Sequence, residues 1–89
     1  MPQRDVTIIN KLGLHARAAA KFVAQASRYQ SEIQVHREGK TVNGKSIMGM
    51  MMLAAARGTT ITLEANGEDA EAALDALEGL VNERFQEGE

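Results

Sequence analysis

The chain has 89 residues, of which 44% are hydrophobic, 3% aromatic and 25% charged, with a formal net charge of −2 and no cysteine. A chain this short builds one modest core, which excludes a deep, enclosed active-site cavity, and the absence of cysteine excludes disulfides and thiolate metal sites. The slightly negative charge disfavours a nucleic-acid binder, because phosphate backbones select basic surfaces. We therefore expect one domain, spanning residues 1–89.

Apolar residues alternate with polar ones, or recur at helical spacing, along most of the chain. In chain order, these patterns predict a strand at 6–8, a helix at 16–29, strands at 32–36 and 40–42, a helix at 47–55, a strand at 60–65 and a helix at 69–85. Glu38-Gly39 is a hairpin signal, Ser46 a helix N-cap and Arg57-Gly58 a helix stop. The polar tail, residues 86–89, is expected to fray.

Each predicted strand has an apolar face and a polar face, which favours an antiparallel sheet with helices on one side and water on the other. The residues expected to point away from the core are Thr7, Gln34, His36, Thr60, Thr62 and Glu64. The stripe predicted for the first helix consists of Ala16, Ala19, Ala20, Val23 and Ala26. The stripe predicted for the last helix consists of Ala70, Ala73, Leu74, Leu77, Leu80, Val81 and Phe85.

His15 stands at the start of the first predicted helix, in the run Gly13-Leu14-His15-Ala16-Arg17. A helix N-terminus presents free N–H groups and the positive end of the helix dipole, which together favour an anion. A neutral histidine at this place has one ring nitrogen available as a nucleophile, and the guanidinium of Arg17 suits phosphate oxygens. The run thus indicates a phosphoryl-accepting histidine, while a solvated N-cap histidine beside a solvated arginine fits it too. The other histidine, His36, is expected to be solvated.

The segment from Lys45 to Leu53 contains more apolar side chains than a helix of two turns can bury. By angle, the inward set is Met50, Leu53 and Ala54, which leaves Ile47, Met48 and Met51 or Met52 partly exposed. Exposed methionines are adaptable contact groups, so we interpret this segment as a docking site for partner proteins. The capping role explains Ser46, yet phosphate on Ser46 would also add charge at the edge of that docking site.

Two motifs, Gly13-Leu14-His15-Ala16-Arg17 and Lys45-Ser46-Ile47-Met48-Gly49, resemble those of the HPr family. Its members are the histidine-containing phosphocarriers of the bacterial phosphoenolpyruvate-dependent phosphotransferase system. The resemblance covers nearly the whole chain and implies an α+β open-faced sandwich of order β-α-β-β-α-β-α, with a four-stranded antiparallel sheet and three helices on one face. The family usually has proline where this chain has Ala18. Alanine also suits a first helical turn, so the helix is expected to start here.

The resemblance implies a phosphocarrier relay protein, not an enzyme. His15 would accept a phosphoryl group on Nδ1 from enzyme I and donate it to an enzyme IIA component, in sugar uptake or its regulation, and Arg17 would steady the phosphate. Ser46 matches a position that a serine kinase/phosphorylase modifies in many members. The implied docking surface consists of Leu14, Ala16, Ala20, Ile47, Met48 and Met51. We expect a monomer with no metal and no cofactor.

Two other classes remain open. A regulatory adaptor of the same fold would bind a transcription factor or an enzyme through the methionines, but it would not need His15 and Arg17. An unrelated α/β nucleic-acid module would need aromatics on its sheet face, which this sequence lacks. The first residues have no apolar run typical of a signal peptide, and no stretch is long enough to cross a bilayer. We therefore expect a cytoplasmic protein without membrane insertion.

Overall fold

The structure is a computed structural model that describes residues 2–87. Its elements, in chain order, are β1 (Gln3–Thr7), α1 (Ala16–Ala26), β2 (Glu32–Arg37), β3 (Lys40–Asn43), α2 (Ile47–Met52), β4 (Thr60–Asn66), α3 (Ala70–Asn82) and a 3-10 turn (Arg84–Gln86). The predicted order of strands and helices is confirmed. Among the helices of the described residues, none has both the length and the hydropathy of a transmembrane segment.

The strands form one sheet in the order β1-β4-β2-β3, and every neighbouring pair is antiparallel. Between β2 and β3, Glu38 and Gly39 both have positive φ angles, of 46° and 83°. Positive φ at both central residues is typical of the two-residue hairpin turn that matches the twist of the flanking strands. The hairpin predicted at this dipeptide is therefore confirmed.

One face of the sheet is covered by the helices, and the other faces water. The covered side chains are 4% exposed or less: Val6, Ile33, Val35, Ile61, Leu63 and Ala65. The whole stripe predicted for α3 is buried with them, although α3 ends at Asn82 and Phe85 reaches the core from the turn that follows. Because only one face is covered, the open-faced sandwich is confirmed.

The buried face of α1 differs from the predicted stripe. It consists of Ala18, Ala19, Phe22 and Ala26, whereas Ala16 and Ala20 are exposed. Phe22 is the largest side chain of this helix and is fully buried, so the face centred on Phe22 turns toward the core. The helix begins at Ala16 as predicted, with Ala18 inside it.

The predictions for the end of α2 are wrong in two respects. The helix ends at Met52, not at residue 55, and Ala54 has a φ of 51°. This left-handed residue shifts the pattern by one position, so Ala54 is exposed and Ala55 is 2% exposed. Gly58, predicted to end the helix, lies in the turn before β4, with a φ of 89°.

The N-cap residue of α3, Asp69, and carboxylates within α3 contact two distant segments of the chain. The Asp69 carboxylate accepts the Ser31 hydroxyl and the backbone N–H groups of Gln30 and Ser31, the latter two at 2.8 and 3.0 Å. In β1, the Arg4 guanidinium contacts carboxylates of α3, at 2.7 Å from Asp75 and 2.8 Å from Glu78. Hydrogen bonds to Asp75, then to Glu78, raise the pKa of Arg4 above its ordinary value. These contacts hold both segments against α3.

Candidate functional site

His15 is the N-cap of α1, as predicted. Its backbone is extended, with φ −76° and ψ 178°, and its ring Nδ1 accepts the backbone N–H of Arg17 at 3.3 Å. Its carbonyl oxygen accepts the N–H of Ala19 at 2.8 Å, which closes the first helical turn. The side chain is 27% exposed. The imidazole is therefore directed by the helix and is still reachable from solvent.

The loop before His15 is held closely against the segment that follows α2. Gly13 has a φ of 67°, and a Cβ atom at this position would lie 2.6 Å from the carbonyl oxygen of Ala55. The neighbouring Leu14 donates its N–H to that oxygen at 2.9 Å. Glycine tolerates both the positive φ and the close approach. The position of the imidazole thus depends on a residue without a side chain.

Two residues that sequence reasoning missed complete the surroundings of His15. The Glu87 carboxylate lies 2.6 Å from Nε2 of His15 and is 14% exposed. The buried Asn10 side chain donates from Nδ2 to Glu87 at 3.1 Å and to the Gly13 carbonyl at 2.8 Å. The sequence predicted fraying from residue 86 onward, but Gln86 lies in the 3-10 turn and Glu87 makes these contacts, while residues 88 and 89 lie outside the described residues. No local pattern marks Glu87; an asparagine that interrupts apolar alternation was the one available signal for Asn10.

Arg17 is exposed, within the first turn of α1, as predicted. Within residues 2–87, its guanidinium makes no hydrogen bond or ion pair, so its donors are free to meet a ligand. A surface pocket of about 160 Å³ is lined by Lys11, Leu12, Arg17 and Glu87. Two cationic side chains beside a helix N-terminus form a surface suited to an anion. In the same range of residues, no group of His, Cys, Asp and Glu side chains is arranged for a metal.

The exposed side of α2 forms an apolar patch, which we define as Ile47, Met48, Met51 and Met52. Their exposed fractions are 43%, 71%, 41% and 67%. Met50 and Leu53 are fully buried, as predicted. Leu12, beside Arg17, is the other large apolar side chain that is well exposed in the described residues, at 68%. Because α1 contacts α2, the patch and His15 lie on adjoining helices.

Ser46 caps α2, as predicted. Its hydroxyl oxygen accepts the N–H of Gly49 at 3.1 Å, and its side chain is half-buried. Ser46 immediately precedes Ile47 and Met48. Any charge added to this hydroxyl would therefore lie beside the apolar patch.

Two predicted assignments are corrected by burial and hydrogen bonding. Leu14, expected on the docking surface, is 6% exposed and packs in the core, so it supports the loop and offers almost no surface. His36 is not simply solvated: Nε2 lies 2.7 Å from Glu64, and Nδ1 lies 2.8 Å from Thr41. Both partners come from neighbouring strands, β4 and β3, which only the sheet pairing brings beside His36. Ala16 and Ala20, by contrast, are exposed and remain available for contact.

Comparisons of the sequence and of the structure with known proteins all match HPr proteins. A protein-family model described as "PTS HPr component phosphorylation site" matches residues 2–83. The chain is 56% identical over 89 residues to phosphocarrier protein HPr of Cupriavidus necator and 57% identical over 90 residues to that of Pseudomonas aeruginosa, with 100% of both chains covered in each case. The crystal structure of HPr-C-His from Thermoanaerobacter tengcongensis is 46% identical, with a TM-score of 0.94 and 98% of each chain covered.

Proposed function

The chain belongs to the HPr family of the phosphotransferase system, and from this premise we propose that it is a cytoplasmic carrier of phosphoryl groups. His15 accepts the group on Nδ1 from enzyme I and donates it to an enzyme IIA component. The observation that carries this proposal is the Nδ1 atom of a solvent-accessible histidine at a helix N-terminus, where it accepts the N–H of Arg17. A nitrogen that accepts a hydrogen bond has a lone pair, which is what a nucleophile requires.

The same surroundings favour the phosphorylated product. When Nδ1 attacks the phosphorus of a donor phosphohistidine, the new P–N bond forms as the donor's P–N bond breaks, and the electron pair remains on the donor nitrogen. The free N–H groups at the start of α1 and the guanidinium of Arg17 then face the phosphoryl oxygens. Catalysis of phosphoryl transfer is largely positioning and charge stabilisation. The carrier supplies both at one solvent-accessible histidine, beside a small surface pocket.

Partner proteins dock on the apolar patch and on Ala16 and Ala20 beside it. A monomer with exposed apolar side chains concentrated on one helix has a reason to keep them in contact with partners, and methionines adapt to partners of different shape. Enzyme I and the IIA component would use the same surface in turn, since each must bring a histidine to His15. The relay serves sugar uptake or its regulation.

Phosphorylation of Ser46 by a serine kinase, and its removal by a phosphorylase, would regulate this docking. The hydroxyl lies directly before the apolar patch, so a phosphate with about −2 charge at Ser46 would disfavour apolar contact with enzyme I.

The decisive experiment uses phosphoenolpyruvate, enzyme I and the full chain, with mass spectrometry of the acid-labile product. The parent and a His36→Ala variant are expected to gain one phosphoryl group, and a His15→Ala variant none. The two histidine variants are matched controls, because each removes one imidazole with a carboxylate neighbour. A phosphoryl group on the His15→Ala protein would contradict the proposal. Transfer from the labelled parent to IIA proteins then identifies the acceptor.

A further inference from the structure

Four of the five methionines of the chain lie in α2 (Ile47–Met52), and the chain has no cysteine. In a protein without thiols, methionine sulfurs are the side-chain atoms that a peroxide oxidises most readily. Met48, Met51 and Met52 are 71%, 41% and 67% exposed, whereas Met50 is fully buried. An oxidant dissolved in water therefore reaches three of these side chains and not the fourth.

The three exposed methionines share one face of α2. Met51 and Met52 follow Met48 by three and four positions, the spacing that makes side chains neighbours on a helix surface. Met50, two positions after Met48, is on the side of the helix that packs in the core. The exposed face is the apolar patch, the proposed docking surface. A chemical change at these sulfurs is therefore concentrated within one contact surface.

We propose that Met48, Met51 and Met52 form a redox-sensitive modification site, at which a peroxide switches off docking on the apolar patch; this inference rests on the proposed function. The lone pair of each sulfur attacks one oxygen of hydrogen peroxide, an S–O bond forms as the O–O bond breaks, and the other oxygen leaves as water with both hydrogens. The sulfur loses two electrons, the peroxide gains the same two, and methionine becomes its sulfoxide.

The sulfoxide changes the surface that a partner meets. Its oxygen is polar and accepts hydrogen bonds, whereas the thioether is only a weak acceptor. α2 consists of isoleucine, methionine and glycine alone, so no side chain of this helix can donate a hydrogen bond to the new oxygen. Burial of an unpaired polar group is unfavourable. Oxidation therefore weakens docking, while the imidazole of His15, at the start of the adjoining helix α1, is unchanged.

This modification is reversible, which distinguishes a switch from damage. Methionine sulfoxide is reduced back to methionine by thiol-dependent reductases, one for each epimer of the sulfoxide. These enzymes must reach the modified side chain, and the exposed fractions of Met48 and Met52 are the largest in the apolar patch. The same exposure that admits the oxidant thus admits the enzyme that removes the oxygen.

The test treats the full chain with hydrogen peroxide and locates the added oxygen atoms by tandem mass spectrometry. Met48, Met51 and Met52 are each expected to gain one oxygen, and Met50 none while the protein stays folded. The control replaces the three exposed methionines together, as Met48→Leu, Met51→Leu and Met52→Leu. Leucine has a similar volume and is not oxidised by peroxide, and this control keeps Met1 and Met50.

Isothermal titration calorimetry then measures the Kd for enzyme I before and after oxidation. For the parent, we expect the Kd to rise roughly 10-fold, and treatment with methionine sulfoxide reductases should restore it. For the triple-leucine control, the Kd should be the same before and after peroxide. In transfer kinetics, the oxidised parent should have a higher KM for the carrier and an unchanged kcat, because the reacting atom of His15 is not modified.

Three results overturn the inference: an oxidised parent that binds enzyme I as tightly as the untreated protein, a Kd that the reductases do not restore, or a triple-leucine control that loses affinity as the parent does. Oxidation of Met50 as fast as that of Met48 in the folded protein also overturns it. If the untreated parent neither binds enzyme I nor accepts a phosphoryl group, the proposed function itself fails, and this result is distinct from the other four.

Discussion

The backbone N–H of Leu14 donates to the carbonyl oxygen of Ala55 at 2.9 Å. Leu14 directly precedes His15, and Ala55 lies just beyond the end of α2. This hydrogen bond therefore joins the loop of the candidate nucleophile to the helix that presents the apolar patch.

Substitution of Gly13 by alanine tests how much this approach depends on glycine. A Cβ atom would lie 2.6 Å from the Ala55 oxygen and 2.9 Å from Cα of Ala56, at a φ of 67°. We expect the free energy of unfolding to fall by about 3 kcal/mol, measured by urea denaturation. In the control Gly58→Ala, φ is 89° but no atom lies within 4 Å of the added Cβ, so a loss of only about 1 kcal/mol is expected. Equal losses would show that backbone strain alone explains the requirement.

Arg17→Ala is expected to fold with nearly unchanged stability, because the exposed guanidinium makes no hydrogen bond or ion pair within residues 2–87. Phosphoryl transfer from enzyme I should slow by roughly 100-fold, as for the loss of one preorganised donor to a charged transition state. Rapid-quench kinetics measures the rate, with Arg28→Ala as the control, because Arg28 is an exposed arginine beyond the opposite end of α1. The transfer rate of Arg17→Lys should lie between those of the parent and Arg17→Ala, because lysine keeps the positive charge but lacks the planar guanidinium fork. Equal rates for the parent and Arg17→Ala would remove the assigned role.

Met48→Ala tests the apolar patch at its most exposed residue, which is 71% exposed. We expect the Kd for enzyme I, measured by isothermal titration calorimetry, to rise by roughly 5-fold, equivalent to about 1 kcal/mol. Gln34→Ala on the open face of the sheet is the control and should leave the Kd unchanged. If Gln34→Ala raises the Kd more than Met48→Ala does, enzyme I docks on the open face of the sheet and not on the apolar patch.

Variants of Ser46 separate its capping role from the effect of charge. Ser46→Ala loses the hydrogen bond to the Gly49 N–H and should be destabilised by about 1 kcal/mol without weaker binding to enzyme I. Ser46→Asp keeps a capping oxygen, so its stability should be close to that of the parent, while its added charge weakens enzyme I binding. Thermal denaturation and calorimetry measure the two properties. If Ser46→Asp binds as tightly as Ser46→Ala, charge at this position does not regulate docking.

The hydrogen-bonded carboxylate of Asp69 should make the protein lose stability in acid. The hydroxyl of Ser31 first, then the N–H groups of Gln30 and Ser31, donate to this carboxylate and lower its pKa. A carboxyl group whose pKa is lower in the folded state stabilises the fold above its ordinary pKa, and this contribution disappears as the pH falls through the folded-state pKa. Unfolding free energies of Asp69→Asn should therefore depend less on pH below about pH 4 than those of the parent. Glu68→Gln, an exposed neighbour, should follow the parent; identical curves for all three proteins contradict the prediction.

Local sequence patterns were sufficient for much of the fold and part of the site. Strand faces, the Glu38-Gly39 turn and the caps at His15 and Ser46 each depend on residues within a few positions of one another, so their spacing predicts them. The exposure of Met48 also followed, because a short helix cannot bury apolar residues all round. The end of α2 was predicted wrongly because the left-handed residue there is Ala54, where glycine is the usual signal.

The sequence by itself thus determined the order of the elements and the histidine at a helix N-terminus. Only the tertiary structure decided that Glu87 meets His15, that the buried Asn10 donates both to Glu87 and to the loop before His15, and that Leu14 belongs to the core. Glu87 and His15 are 72 positions apart, and no periodicity extends across that separation. Their contact exists because the burial of Phe85 turns the end of the chain back toward α1, a result of packing between elements and not of local preference.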